Sequence, residues 1–266
     1  MFNSIVIEMR ALSEGIIKLY PGQKLHAVFL RIVNEVNSEL SEKLHENELD
    51  KSFTVSSLIG CDIEKENMIY KGKKYYFRVT TFDKQLFSLL TMALFKNKMF
   101  NSNIFLEDIE FKITNIIYDL SKSKWAGMFD MEEMLKKEEF SDSLTMKFHT
   151  PTLFKTGDTF LRTPEPDKIF GSLLRKFNKY SYYKIDDELG NEFNNIEIEK
   201  KDVRMRRAKL NKFFIEGFTG EVTFRVNNEN ERLKQAIYIL SEFAFYAGVG
   251  YKTTMGFGQV SKSMEG

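Results

Sequence analysis

Apolar residues along the first half of this chain alternate between a period of two and a period near 3.6. The order is strand, helix, strand, strand, helix, strand. Residues 3–11 open as a β-rich run. Over 23–44, Leu25, Val28, Phe29, Ile32, Val36 and Leu40 share one helical face. Residues 53–59 read as a strand, and a basic turn at 71–74 leads into another at 75–80. Leu86, Leu89, Leu90, Ala93 and Leu94 make 83–95 a helix, and residues 111–118 close the set as a strand. That order is the β-α-β-β-α-β unit of ferredoxin-like domains. A polar connector follows at 121–141, with a short helix near 131–135. The rhythm then returns. A strand lies near 143–150. A helix after Pro166 runs through Ile169, Leu173, Leu174 and Phe177, and 186–199 reads as an exposed acidic excursion. Strands follow at 203–213 and 216–226, and a helix over 229–247 carries Leu233, Ile237, Leu240, Ala244 and Ala247. The prediction is an α+β protein of two tandem ferredoxin-like (RRM-like) domains, 1–122 and 123–266.

The chain has 266 residues, enough to bury a substantial core. Its 25 Phe and 11 Tyr, against 4 Pro, suit a folded chain rather than a disordered one. The single cysteine, Cys61, excludes a disulfide framework and a cysteine-based zinc site, and it fits a reducing cytoplasm. No basic segment followed by a long apolar run opens the chain, so no signal peptide is expected. No stretch approaches the roughly 18–20 apolar residues of a membrane span. No carboxylate cluster suggests a metal, and no cofactor is expected. The formal net charge is only +1, so any nucleic-acid role needs a local basic patch.

Two such patches stand out. Residues 248–258 hold four glycines, Gly248, Gly250, Gly256 and Gly258, with Lys252, Thr253 and Thr254 between them. Clustered backbone N–H groups, a cation and hydroxyls suit a phosphate, although a tight helix-to-strand turn would use the same glycines. Tyr251 separates Gly250 from Lys252 and the run follows a helix, so it is not a P-loop. Thr253 stands where a dinucleotide fingerprint needs its third glycine. A phosphate on a larger polymer remains. Upstream, 201–212 holds six cations against one anion: Lys201, Arg204, Arg206, Arg207, Lys209 and Lys212, with Asp202. As a strand this is either a basic ribbon for nucleic acid or a charged edge guarded against pairing.

Three histidines are present, His26, His45 and His149. His45 ends the first long helical pattern, and Lys51 follows just before a strand. An imidazole and an ammonium there form a workable pair for cleaving RNA: one moves a proton, the other steadies charge on the phosphorane. His26, beside the apolar stripe, reads first as structural and is also the best second acid–base candidate. His149, at a strand end, reads as structural. No Ser/His/Asp arrangement and no Gly-x-Ser-x-Gly elbow is present.

Along nearly its whole length the chain resembles the CRISPR repeat-processing endoribonucleases of the repeat-associated RNA-binding superfamily. Leu44-His45-Glu46 with Lys51-Ser52-Phe53-Thr54-Val55-Ser56 looks like the family's catalytic segment. Phe148-His149-Thr150-Pro151-Thr152-Leu153-Phe154-Lys155 resembles its mid-chain Ser/Thr-Pro-Thr-x-Phe stretch, and Gly217-Phe218-Thr219-Gly220 its late Gly-Phe-x-Gly. The most specific likeness is the run 243–258, which resembles its C-terminal glycine-rich signature. The resemblance implies metal-independent cleavage of the repeat of precursor CRISPR RNA by 2′-hydroxyl attack, giving 2′,3′-cyclic phosphate and 5′-hydroxyl ends. His45 matches the catalytic histidine and Lys51 the active-site lysine. A tyrosine used by some members falls close to Leu30 here, leaving that role vacant or to His26 or Arg31. The candidate RNA-binding set is the basic residues Arg204, Arg206, Arg207, Lys209, Lys212 and Lys155 with the glycine loop, and of these the loop matches a family element that contacts RNA. A non-cleaving RNA-binding subunit of an effector complex is the alternative, and a homodimer stays open.

Overall fold

The computed structural model describes residues 2–46, 51–100, 103–137, 139–226 and 230–262; the side chains of 43, 45, 46 and 97–100 lie outside that description. Two compact units emerge. The first comprises Met1–Met128, Ala208–Phe214 and Thr254–Gly256; the second comprises Phe129–Arg207, Ile215–Thr253 and Phe257–Gly266.

In the first unit the elements are β1 (Asn3–Ala11), β2 (Gly15–Ile17), α1 (Gly22–Asn34), α2 (Ser38–Glu46), β3 (Phe53–Val55), β4 (Asn67–Ile69), β5 (Lys74–Thr81), α3 (Lys84–Phe100), β6 (Asn103–Leu106), β7 (Ile109–Ile117) and β8 (Gly127–Met128). The main sheet runs β3-β5-β1-β7-β6, and β8 also pairs with β1. Taking the elements of the sequence pattern alone, β1-α1-β3-β5-α3-β7, the sheet order is the ferredoxin-like one. Strand alternation sends Ile5, Ile7 and Met9 to one face, where Leu25, Phe29, Leu86 and Leu90 are also buried. Phe29 of α1 meets Phe53 of β3 at 4.4 Å between ring centroids. On the other face Arg78 is fully buried. Its Nε donates to Ser4 Oγ (2.7 Å), and its guanidinium lies 5.3 Å from the ring of Trp125.

The single helix expected over 23–44 is two helices. The break falls at 35–37, where Asn37 turns its side chain back to accept from the Leu40 N–H at 2.8 Å. An Asn that satisfies an orphan helix donor starts a new helix as readily as it ends one. Ser41 Oγ donates to Leu30 O (3.1 Å), tying the two helices together.

The second unit contains α4 (Met131–Lys136), β9 (Ser143–Thr152), β10 (Phe154–Thr156), β11 (Thr159–Leu161), α5 (Pro166–Tyr180), β12 (Glu197–Lys209), β13 (Phe214–Arg225), α6 (Glu231–Ala247) and β14 (Val260–Lys262). Its sheet runs β12-β13-β9-β14, so the order of β9-α5-β12-β13-α6-β14 repeats that of the first unit. Phe170 of α5 packs on Phe224 of β13 (5.2 Å), and Phe177 on Phe243 of α6 (5.3 Å). The acidic excursion of the sequence is a 3₁₀ helix, Asp187–Asn195, whose Asp186 side chain accepts from the Glu188 N–H. Fully buried Phe193 pins it, and β12 then starts at Glu197, earlier than the charge pattern indicated. No helix among the described residues is long and apolar enough to cross a membrane.

Candidate active site

The expected acid–base residues all fall in the first unit. His45 is the penultimate residue of α2, and its side chain lies outside the described residues. Lys51 is half-buried and leads directly into β3. The residue after it is fixed: Ser52 O accepts from the Phe82 N–H at 2.8 Å, and Phe53 is paired with Thr81 of β5. Lys51 therefore starts from a backbone held by the sheet edge rather than from a free loop. His26 lies within the core, 7% exposed, its ring stacked on Phe53 with 5.8 Å between centroids and 9° between planes. The strand that Lys51 leads into thus also packs on the His26 ring.

Three residues near this site carried no signal of their own in the sequence: Tyr20, Gly22 and Ser57. Tyr20 Oη donates to Gly256 O at 2.6 Å, 236 residues away in the chain. A Cβ on Gly22, the first residue of α1, would sit 2.0 Å from Met255 O. One on Gly256 would sit 2.6 Å from the Ser57 backbone N, just past β3, and Gly256 has φ +85°. The stretch Thr254–Gly256 is therefore seated on the start of α1 and the exit of β3 at distances that admit no side chain. A Tyr-Pro-Gly turn before a helix was the only visible hint, and it says nothing about so remote a partner.

The rest of the glycine run lies in the second unit. Gly248 (φ +62°) caps α6, its N–H donating to Ala244 O. The Val249 N–H donates to Gly258 O (2.9 Å), the Tyr251 N–H to Leu153 O (2.8 Å) and the Gly258 N–H to Pro151 O (3.2 Å). These amides shape the loop against β9 and its exit. Lys252 Nζ sits 4.9 Å over the Tyr251 ring, and that ring lies 5.8 Å from Phe160 on β11. Phe160 is the cross-strand partner of exposed Lys155 on β10. The loop that carries Lys252 and the hairpin that carries Lys155 are thus joined through the Tyr251–Phe160 ring contact, which sequence spacing could not reveal. Thr253 is buried beside Gly248.

The basic strand β12 is an edge strand. Arg204 and Arg207 are exposed and Arg206 is half-buried, all in the second unit. Lys209 and Lys212 are exposed and belong to the first. Thr219 Oγ1 reaches Arg204 O at 3.4 Å, and a Cβ on Gly220 would meet Asp202 O at 2.1 Å, so β13 presses closely on the strand that carries the cations. His149, expected to be structural, has Nε2 at 2.7 Å from Ser261 Oγ across the β9–β14 pair. Among the described residues no three His, Cys, Asp or Glu side chains gather as a metal site.

Residues 1–136 match the family profile of the CRISPR Cas6 N-terminal domain, and residues 146–260 that of the CRISPR-associated endoribonuclease Cas6. A CRISPR-associated endoribonuclease Cas6 of Streptococcus thermophilus is 27% identical over 142 residues, 50% of this chain and 56% of that protein's length. Among solved structures, a Cas6 product complex superposes with a TM-score of 0.83 at 29% identity, covering 99% of this chain and all of that one. A Thermus thermophilus Cas6 superposes with a TM-score of 0.75 at 27% identity, covering 99% of this chain and 98% of the other.

Proposed function

From membership of the CRISPR-associated endoribonuclease Cas6 family, to which this chain belongs, we propose that the protein cleaves the repeat of precursor CRISPR RNA. The ribose 2′-oxygen attacks the adjacent phosphorus, the bond to the 5′-oxygen breaks, and the ends are a 2′,3′-cyclic phosphate and a 5′-hydroxyl. The proton leaves the 2′-hydroxyl, and a proton is delivered to the departing 5′-oxygen. The observation that carries this reading is the likeness, over nearly the full length of both chains, to a Cas6 captured with its product.

His45 moves protons and Lys51 offsets negative charge on the phosphorane. The sheet-edge anchorage of Ser52 and Phe53 supports this, because it narrows where the Lys51 ammonium can go. His26 reads in the sequence as structural and, failing that, as the second acid–base candidate. Its burial and its stack on Phe53 support a role in holding β3 in place instead. Arg204, Arg206, Arg207, Lys209 and Lys212 grip phosphates of the RNA. Lys155 and Lys252, over Tyr251 and Phe160, form a second contact, with the glycine run 248–258 shaping the loop. Much of the acceleration in such a site comes from holding the RNA in line for attack.

The test is single-turnover cleavage by His45→Ala. Loss of acid–base help lowers the rate by about 10²–10⁴-fold while RNA affinity stays within a few-fold. An unchanged rate removes His45 from the chemistry. Tight binding by the wild type without cleavage would identify a carrier subunit instead.

A further inference from the structure

The basic turn that leads into β5 has no part in the RNA contacts proposed above, and the sheet register gives it a setting. Arg10 of β1 stands directly opposite Lys74 of β5 on one side and Lys112 of β7 on the other. Three cations therefore line up across three neighbouring strands. Their strand neighbours Met9, Ala11, Phe111 and Ile113 are buried in the core with Leu25 and Leu90, so alternation puts the cations on the face away from the helices. Directly opposed like charges destabilise a sheet, because their Cβ atoms are only about 4.5–5.5 Å apart. Lys74 is relieved of this by Glu8, which lies on the same face and takes its ammonium at 3.1 Å. Arg10 and Lys112 are not. Arg10 is exposed and Lys112 half-buried, and among the described residues neither forms an ion pair. Glu110, further along β7, accepts from Asn103 Nδ2 instead.

The row is also held in place. The Ala11 N–H donates to Lys73 O (3.0 Å) and the Gly72 N–H to Ala11 O (2.8 Å), which pins the basic turn to the end of β1. Lys71 and Lys73 of that turn are exposed and add charge of the same sign. Two cations kept face to face without a carboxylate are unfavourable in a sheet alone. They suit an anion that sits between them and takes charged hydrogen bonds from both.

We propose that Arg10 and Lys112 hold one backbone phosphate of the RNA between them, on the face of the first sheet opposite its helices. The proposal rests on the reading of the protein as an RNA-cleaving enzyme and adds a contact remote from the cut. Thr81, at the other end of β5, faces Phe53, just past Lys51. The strand from Lys74 to Thr81 spans about 23 Å. The pair therefore grips RNA away from the reacting phosphate and takes no part in the chemistry.

The experiment compares the full-length wild type with the double variant Arg10→Gln/Lys112→Gln and with Lys112→Glu. Affinity is measured across a salt series for the host's CRISPR repeat RNA, made uncleavable by a 2′-deoxy nucleotide at the scissile position, and Tm is measured without RNA. The double variant loses about ten-fold in affinity, the scale of one charged hydrogen bond. Its salt slope is flatter by about 0.7, the loss of one phosphate contact on a single strand. Its Tm rises by about 1–3 °C, because the opposed charges are gone. Lys112→Glu gives Arg10 an opposite charge to face, so Tm again rises while RNA binds more weakly still. Variants that bind RNA like the wild type overturn the proposal. So does weaker binding with an unaltered salt slope, or a fall in Tm in both variants, which would make the row a structural element. A wild type that fails to bind RNA overturns the enzymatic reading along with the site, whereas equal binding by wild type and variants overturns the site alone.

Discussion

Gly22→Ala is a substitution for which local propensity and the structure give opposite signs. Gly22 is the first residue of α1, and alanine in a helix is ordinarily worth up to about 1 kcal/mol over glycine. Here a Cβ would lie 2.0 Å from Met255 O and 2.8 Å from the Tyr20 ring. Restoring even a tight contact of 3.4 Å requires the carbonyl to retreat by about 1.4 Å. That carbonyl precedes Gly256, whose own oxygen accepts from Tyr20 Oη at 2.6 Å, so the retreat also strains a buried hydrogen bond. Overpacking costs about 1–3 kcal/mol and a lost hydrogen bond about 0.5–1.5 kcal/mol. Against the propensity gain, the net effect is a loss of about 1–3 kcal/mol. For a chain of this size that lowers Tm by about 2–4 °C per kcal/mol. Gly171→Ala is the matched control: Gly171 lies inside α5 with nothing within 4 Å of its would-be Cβ, so it raises stability by up to about 1 kcal/mol. Thermal unfolding of both variants beside the wild type decides the matter. A Gly22→Ala protein as stable as Gly171→Ala would refute the seating of Thr254–Gly256 on α1.

Other expectations follow from charge and burial. Reversing Arg204, Arg206 and Arg207 to Glu weakens RNA binding, and loss of three phosphate contacts flattens the salt slope by about 2 for a single strand; an unaltered slope takes the strand out of the interface. Glu8 is buried, which pushes its carboxyl up. Donation from Thr114, Lys74 and Tyr76, with the Lys74 charge, outweighs that and holds it below the ordinary range. Its stabilising contribution is therefore full above an ordinary glutamate pKa of about 4.3 and is lost as pH falls through the depressed folded value. The Tm difference between wild type and Glu8→Gln should accordingly shrink in acid, and a pH-independent difference would contradict this. Burial pushes the Cys61 thiol up to about 11, so maleimide labels it slowly at neutral pH until urea unfolds the chain; equal rates with and without urea would show the site to be open.

Much of the architecture was legible because it follows from local periodicity. Leu25, Val28, Phe29 and Ile32 announced the buried face of α1, and each of them is buried. The twice-repeated element order was enough to anticipate both sheets. What escaped was tertiary. The helix break at 35–37 depends on a side-chain cap, and an Asn in a polar stretch reads equally well as helix surface. The Lys155–Phe160–Tyr251–Lys252 patch joins a hairpin and a loop nearly a hundred residues apart. The contact of Tyr20 with Gly256 spans almost the whole chain. Glycine spacing signalled that backbones approach closely in 248–258, but not which carbonyls they approach. The early start of β12 was hidden because Glu197 and Glu199 look like loop, whereas on this edge strand Glu197 is exposed and Glu199 pairs with Arg225 of β13 at 3.2 Å.

The most direct measurement of the central claim is incubation of the purified protein with the host's repeat RNA in EDTA, beside the same RNA with a 2′-deoxy nucleotide at the cleaved position. The account predicts cutting at one site in EDTA, a 2′,3′-cyclic phosphate on the upstream product and a 5′-hydroxyl on the downstream one, and no cutting of the 2′-deoxy RNA. Cleavage that persists without the 2′-hydroxyl, or that EDTA abolishes, would contradict it.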